Sequence, residues 1–195
     1  MISGRSPGHA MAHVARAWAP RGPLSLALGF ALMLVACVPS GGLRQGDPLP
    51  EFSATSLLGG QPVSLSDYEG QVLLVNLWAT WCVPCRTETP YLQSLYETYR
   101  EEGLRIVGIS VDLESSVGEV EAFIEEMGVS YDILLDPKGR SETAFQARGM
   151  PKSILVGRDG TVLFSWLGPI EEGDPTFLAG LRQALSAPRH SAAEG

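Results

Sequence analysis

Two cysteines two residues apart, Cys82 and Cys85, sit in the stretch "NLWATWCVPCRTETP" at residues 76–90. Such a pair can be a fixed bridge, half of a metal site, or a dithiol that opens and closes as chemistry. A structural zinc site needs four ligands, normally Cys or His. Beyond Cys37 the chain offers only His190 in addition to the pair, and the same shortage of histidine weakens a copper site. A permanent bridge across so short a loop removes little chain entropy and stabilises a fold poorly. Thiol exchange suits the spacing better. Cys82 falls at the start of an expected helix, where unpaired N–H groups and the helix dipole favour a thiolate and can lower a thiol pKa from about 8.5 to roughly 3.5–7.5. Cys82 is therefore the expected nucleophile, and Cys85, one turn on, the resolving thiol. Pro84 is tolerated in a first turn, where its missing N–H costs nothing. Arg86 either adds positive potential or is an ordinary solvated arginine.

These residues need a strand and a helix to position them. "VLLVNLW" at residues 72–78 is a continuous apolar run of the kind buried on both faces of a sheet. After the cysteines Leu92, Leu95, Tyr96 and Tyr99 recur at helical spacing, with Pro90 expected to kink the helix and Gly103 to stop it. "LRIVGISVD" predicts the next strand, and "SVGE" at residues 116–119 predicts a capping box opening a helix with the stripe Val117, Val120, Phe123, Ile124 and Met127. "YDILLD" predicts a strand, followed by a short helix over residues 142–148. "KSILVGRDGTVLFSW" predicts a hairpin through Arg158, Asp159 and Gly160, and Asp174 and Pro175 predict the N-cap and first position of a last helix with the face Phe177, Leu178, Leu181 and Leu185. Upstream, "FSATSLLGGQPVSLSDY" predicts a further hairpin and a turn at residues 66–68. There is no internal repeat.

At 195 residues the chain has room for one domain plus extensions. Three of its 14 Lys and Arg, Arg5, Arg16 and Arg21, precede Cys37, and all 22 Asp and Glu follow it, so the net charge of −8 becomes −11 beyond that point. Such a surface repels nucleic acid. The apolar run "LSLALGFALMLVA" behind Arg16 and Arg21 is short for a membrane span and fits a signal peptide, with Met11 a possible true start. "LVAC" resembles the bacterial lipobox. A lipid on Cys37 would also account for the odd cysteine; the alternative is an incidental cysteine in an uncleaved anchor. The expected organisation is a signal over 1–36, lipidated Cys37 and a Gly- and Pro-rich flexible tether over 37–50, a domain over 51–187 and a disordered tail over 188–195.

"WCVPC", preceded by "LVNLWAT" and followed by "RTETP", resembles the TlpA/ResA/DsbE branch of the thioredoxin superfamily, the membrane-tethered exported thiol-disulfide oxidoreductases, from about Phe52 to Leu185. The resemblance implies an α/β thioredoxin-like fold: a central mixed sheet flanked by helices, with an N-terminal hairpin and a central α/β insertion over residues 112–135. It implies a cis proline at Pro151, immediately before a strand, keeping the Met150 backbone available to an extended substrate; a trans proline opening an edge strand is the alternative. Lys152 stands where the branch commonly has threonine. Asn76 occupies the place of the buried aspartate of thioredoxins proper. An acid from the insertion is then implied as proton relay, Glu114 ahead of Asp112, either of which could instead be a solvated carboxylate. Glu88 reads as local structure or partner contact, and Trp81 as a cover on the pair.

The activity implied is disulfide exchange on exported proteins without metal or dissociable cofactor, usually reduction, often of apocytochrome c, with electrons from a membrane thiol reductant. A monomer held to a membrane by lipid is expected. The same residues would serve a thiol oxidase. A peroxiredoxin needs Thr-x-x-Cys, whereas Ala79 precedes Cys82 here. A non-enzymatic lipid-anchored chaperone or copper-delivery module is the remaining rival.

Overall fold

The computed structural model describes residues 42–188; the expected signal, the lipid on Cys37 and most of the expected tail lie outside them. Seven strands form one mixed sheet in the order β2-β1-β5-β4-β3-β6-β7. The strands are β1 (Ser53–Ser56), β2 (Pro62–Ser64), β3 (Val72–Trp78), β4 (Leu104–Ser110), β5 (Asp132–Leu135), β6 (Lys152–Val156) and β7 (Val162–Leu167). β3, β4 and β5 run parallel, while β6, β7, β1 and β2 add antiparallel pairings on either side. The helices are α1 (Val83–Tyr99), α2 (Val117–Met127), α3 (Arg140–Ala144) and α4 (Pro175–Ser186).

Alternation along β3 divides the core. Val72, Leu74 and Trp78 face a cluster that takes in Leu92 and Leu95 of α1, Val120 and Phe123 of α2, and Phe177 and Leu181 of α4. Leu73, Val75 and Leu77 face a second cluster closed by Phe52, Leu65, Phe145 and Leu43. All seven β3 residues are buried, as a parallel central strand requires. Both expected hairpins are present, and Asp174 caps α4 by accepting the Phe177 N–H at 2.7 Å. α1 continues through Pro90 to Tyr99. Gly108, central in β4, leaves room for its neighbours: a Cβ there would lie 2.8 Å from Ile133 Cδ1 and 3.0 Å from the Trp78 indole nitrogen.

Three details differ from the sequence expectations. The capping box at Ser116 does not form, because a 3-10 turn (Glu114–Ser116) runs straight into α2 and leaves Ser116 at φ −103°, ψ 14°, without the extended backbone that aims an N-cap hydroxyl. The short helix begins at Arg140 and ends at Ala144, earlier than expected, since the buried Asp136 carboxylate accepts the Ser141 N–H at 2.7 Å and fixes its first turn. The stretch read as a loose tether is pinned from Leu43 onward. Leu43 enters the second cluster, and Gly46 and Leu49 donate to the Val162 and Gly160 carbonyls at 2.8 and 2.9 Å. Among the described residues no helix is long and apolar enough to cross a membrane.

Candidate active site

The pair sits where β3 hands over to α1. Cys82 is the N-cap of α1, in extended conformation (φ −85°, ψ 102°), and its sulfur accepts the Cys85 N–H at 3.3 Å. The two cysteines are joined as a disulfide with their Cα atoms 5.2 Å apart, and both side chains are buried. Pro84 lies in the first turn, as its lack of an N–H allows. Trp81 and Val83, on either side of Cys82, are 67% and 73% exposed, so Trp81 stands out from the surface at the pair's edge instead of joining the core.

The loop carrying Trp81 is held by Asp112. Its carboxylate accepts from the Thr80 backbone N–H at 3.0 and 3.3 Å, the Thr80 hydroxyl at 2.7 Å and the Ser110 hydroxyl at 2.9 Å. Both oxygens are thus committed to holding β4 against the turn before the cysteines, a structural assignment for a residue the sequence offered as a proton relay. Glu114, the acid preferred there, is exposed in the 3-10 turn that leads to α2.

A further buried acid, Glu88, lies on the helix face that carries Cys85. Its side chain is 3% exposed; Oε1 accepts the Ile170 N–H at 3.0 Å, and Oε2 lies 3.5 Å from the Asn76 amide nitrogen. The Asn76 amide donates more closely to the Ser153 hydroxyl, at 2.9 Å. Burial pushes the Glu88 carboxyl up from its ordinary 4.5 to about 7, against the opposing pull of the hydrogen bonds from Ile170, Asn76 and Ser153. Nearby Tyr131 has its pKa raised by burial and by the Glu88 charge. Sequence reasoning read Glu88 as local structure or partner contact and did not anticipate its burial, yet the signal was present: Cys85, Glu88, Thr89 and Leu92 fall at the spacing of one helical face, and all four are buried.

The Met150–Pro151 bond is cis. Pro151 is followed at once by β6, whose first residue Lys152 pairs with Leu77 of β3, so the proline lies level with the strand end from which the cysteine loop departs. The Pro151 carbonyl accepts the Gly168 N–H at 2.8 Å, and Met150 stands partly exposed outside the ladder. Lys152 is buried; its ammonium donates to the Ser165 hydroxyl at 2.6 Å, and burial lowers its pKa. Arg86 is neither free nor merely solvated. It forks onto Glu126 at 2.9 and 3.1 Å and lies over the Phe123 ring at 5.0 Å, joining α1 to α2. Among the described residues no group of three His, Cys, Asp or Glu is placed to hold a metal ion.

Residues 45–165 match the AhpC/TSA family. The chain is 34% identical over 122 residues to the thiol-disulfide oxidoreductase ResA of Oceanobacillus iheyensis, a match spanning 61% of this chain and 62% of that protein. It is 31% identical over 140 residues to ResA of Bacillus cereus, spanning 72% of this chain and 79% of the relative. Among solved structures it is similar to a putative thiol:disulfide interchange protein DsbE from Chlorobium tepidum (TM-score 0.67, 29% identity, 73% of this chain and 99% of that one). It is also similar to StoA from Bacillus subtilis (TM-score 0.52, 26% identity, 63% and 90%). A helix-capping disulfide on a thioredoxin-like sheet, in a chain so related, makes this protein a thiol-disulfide oxidoreductase of the AhpC/TSA family, in its TlpA/ResA/DsbE-like branch.

Proposed function

We propose that this oxidoreductase acts outside the cytoplasm, held to a membrane by a lipid on Cys37, and reduces disulfides of exported proteins. Apocytochrome c, with its haem-binding cysteines, is the substrate suggested by the branch. The single observation that carries the chemistry is the position of Cys82: its sulfur caps α1 and faces the Cys85 N–H, where a thiolate is stabilised by the helix end.

In the reduced protein the Cys82 thiolate attacks one sulfur of a substrate disulfide. The substrate S–S bond breaks, a mixed disulfide forms, and the departing substrate sulfur takes up a proton. Cys85 then loses its proton and attacks the Cys82 sulfur, restoring the Cys82–Cys85 bond and releasing the second substrate thiol, so that two electrons have passed to the substrate. Glu88, buried one turn beyond Cys85 and with its carboxyl lifted to about 7, is suited to receive that proton, in preference to Glu114, which is exposed, and to Asp112, whose oxygens are bonded by Thr80 and Ser110. Met150, beside cis Pro151, offers backbone to an extended substrate, and Trp81 and Pro84 shape the approach to Cys82. The cycle uses no metal or dissociable cofactor. A membrane thiol reductant, acting on the monomer, must return the electrons, because an oxidising compartment leaves the pair closed.

The test is a trap. Cys85→Ala should accumulate mixed disulfides through Cys82 with exported proteins, and Cys82→Ala should not. The reverse pattern would overturn the assignment of nucleophile. Direction is read from the pair itself: alkylation in intact cells should find it largely reduced, and a fully oxidised pair would favour a thiol oxidase.

A further inference from the structure

Of the 14 Lys and Arg of the chain, ten fall within residues 42–188, and three of those ten line one cavity of about 360 Å³: Arg100, Arg105 and Arg158. In a chain of net charge −8 such a group of cations has either a structural duty or a ligand of opposite sign. The cavity opens where β3 and β4 begin, beside Gly70, Gln71 and Gly103. The disulfide follows the other end of β3, seven residues on, about 20 Å away.

Arg158 has the structural duty. It is buried, and its Nη atoms donate to the carbonyls of Gly70, Glu102 and Leu185 at 3.1, 3.0 and 3.3 Å, fastening the turn before β3, the approach to β4 and the end of α4 to one another. Gly103 makes room for it: the backbone there is left-handed (φ 103°), and a Cβ would lie 2.9 Å from Arg158 Nη1. Arg105 and Arg100 are less occupied. Arg105, half-buried in β4, gives Nη1 to the carbonyls of Arg100 and Leu104 at 3.0 and 2.9 Å, while its Nε and Nη2 bond nothing among the described residues. Arg100, in the turn after α1, meets the Glu101 carboxylate at 3.5 Å, a weak pair because the two side chains are 51% and 88% exposed.

Carbonyl dipoles hold a guanidinium in place without cancelling its charge, and its fork of donors fits phosphate oxygens. Guanidiniums arriving from three elements match the several oxygens of a tetrahedral anion better than the two of a carboxylate. At about 30 Å³ per water the cavity has room for on the order of ten, so a substituent on the phosphate fits as well.

We infer that this cavity is a binding site for a phosphate ester, held by Arg100 and Arg105 against the fixed charge of Arg158, with Glu101 as the carboxylate the ligand displaces. Two sources carry that chemistry. One is a soluble phosphate ester. The other is a phospholipid headgroup: Gly46 and Leu49 bond the Val162 and Gly160 carbonyls close to Arg158 in the chain, so a lipid on Cys37 would hold this end of the sheet near a bilayer. The site stands apart from the disulfide, and the inference does not depend on the direction of thiol exchange.

Isothermal titration of the full-length protein in a nonionic detergent would test it, with glycerol 3-phosphate and dioctanoyl phosphatidylglycerol as probes and sodium chloride of equal ionic strength as the reference. Saturable binding of one equivalent is expected. R100Q/R105Q should weaken it about tenfold or more, and R105K, which keeps the charge but loses the fork, about threefold. E101Q should tighten it about twofold by removing the competing carboxylate. K138Q, an exposed cation beyond the far end of β5, should leave it unchanged. Tighter binding of glycerol 3-phosphate would assign the soluble ester, and tighter binding of the lipid would assign the headgroup. Absence of saturable binding for both probes, or wild-type affinity in R105K and in a folded R100Q/R105Q, would overturn the site.

Discussion

Glu88 accepts the backbone N–H of Ile170 at 3.0 Å, tying the helix that carries the cysteines to the loop that follows β7, 82 residues further along the chain. The bond supplies an acceptor to a buried N–H and holds a carboxyl group out of water one helical turn beyond Cys85. Its consequences are structural and chemical together.

The stability of the oxidised protein should depend on pH through Glu88. Its carboxyl binds a proton more tightly in the folded state, with a pKa of about 7, than at its ordinary 4.5. Its contribution is therefore fully present below about pH 4.5 and lost as pH rises through about 7, an effect of about 3 kcal/mol. Urea unfolding of the wild type should weaken across that window. E88Q, which cannot ionise, should give a flatter profile; parallel profiles would show that Glu88 is not the group responsible.

Asp112 and Glu114 are two residues apart, yet only the first should matter to stability. D112A strips acceptors from the Thr80 N–H, the Thr80 hydroxyl and the Ser110 hydroxyl, and should cost about 2–3 kcal/mol of unfolding free energy. E114A, at an exposed position, should stay within about 0.5 kcal/mol of wild type. Chemical denaturation of both variants decides the matter.

Gly108 and Gly118 make a matched pair of glycine substitutions. G108A pushes a methyl group against Ile133 and the Trp78 indole and should destabilise by about 1–3 kcal/mol. G118A, in α2 with nothing within 4 Å of the added carbon, should stabilise by about 0.5–1 kcal/mol. Thermal unfolding should shift in opposite directions.

Phe123 lies between Trp78, with ring centroids 4.6 Å apart, and the Arg86 guanidinium. F123A should lose about 3–4 kcal/mol, because the cavity opens beside a buried indole. E126Q breaks the ion pair of the same Arg86, yet its partners are 38% and 60% exposed, so the loss should stay below about 1 kcal/mol. Comparable losses from the two variants would mean that charge, not packing, fastens α2 to α1.

Much of this was readable in advance for a local reason. The apolar run of β3, the turn residues at Asp159 and Gly160, and the Asp174-Pro175 cap act over a few residues, where alternation and capping chemistry suffice. Cys82 and Cys85 belong to the same class, since a two-residue spacing at a helix start already defines both a reachable pair and a thiolate-favouring end. Ser116 shows where local chemistry fails: its motif is complete, but the incoming 3-10 turn sets a backbone angle that four residues cannot reveal.

The sequence by itself determined the chemistry of the pair and the order of strands and helices, because both follow from neighbours along the chain. Only the tertiary structure decided which acid is buried on the helix face of Cys85 and which holds a loop. Asp112, Glu114 and Glu88 are all carboxylates near the motif, and their surroundings set them apart: three donors from Thr80 and Ser110, open solvent, or a buried position beside Asn76 and the Ile170 N–H. Burial sets a carboxyl's proton affinity, and burial depends on residues up to 82 positions away that meet only when the sheet is assembled.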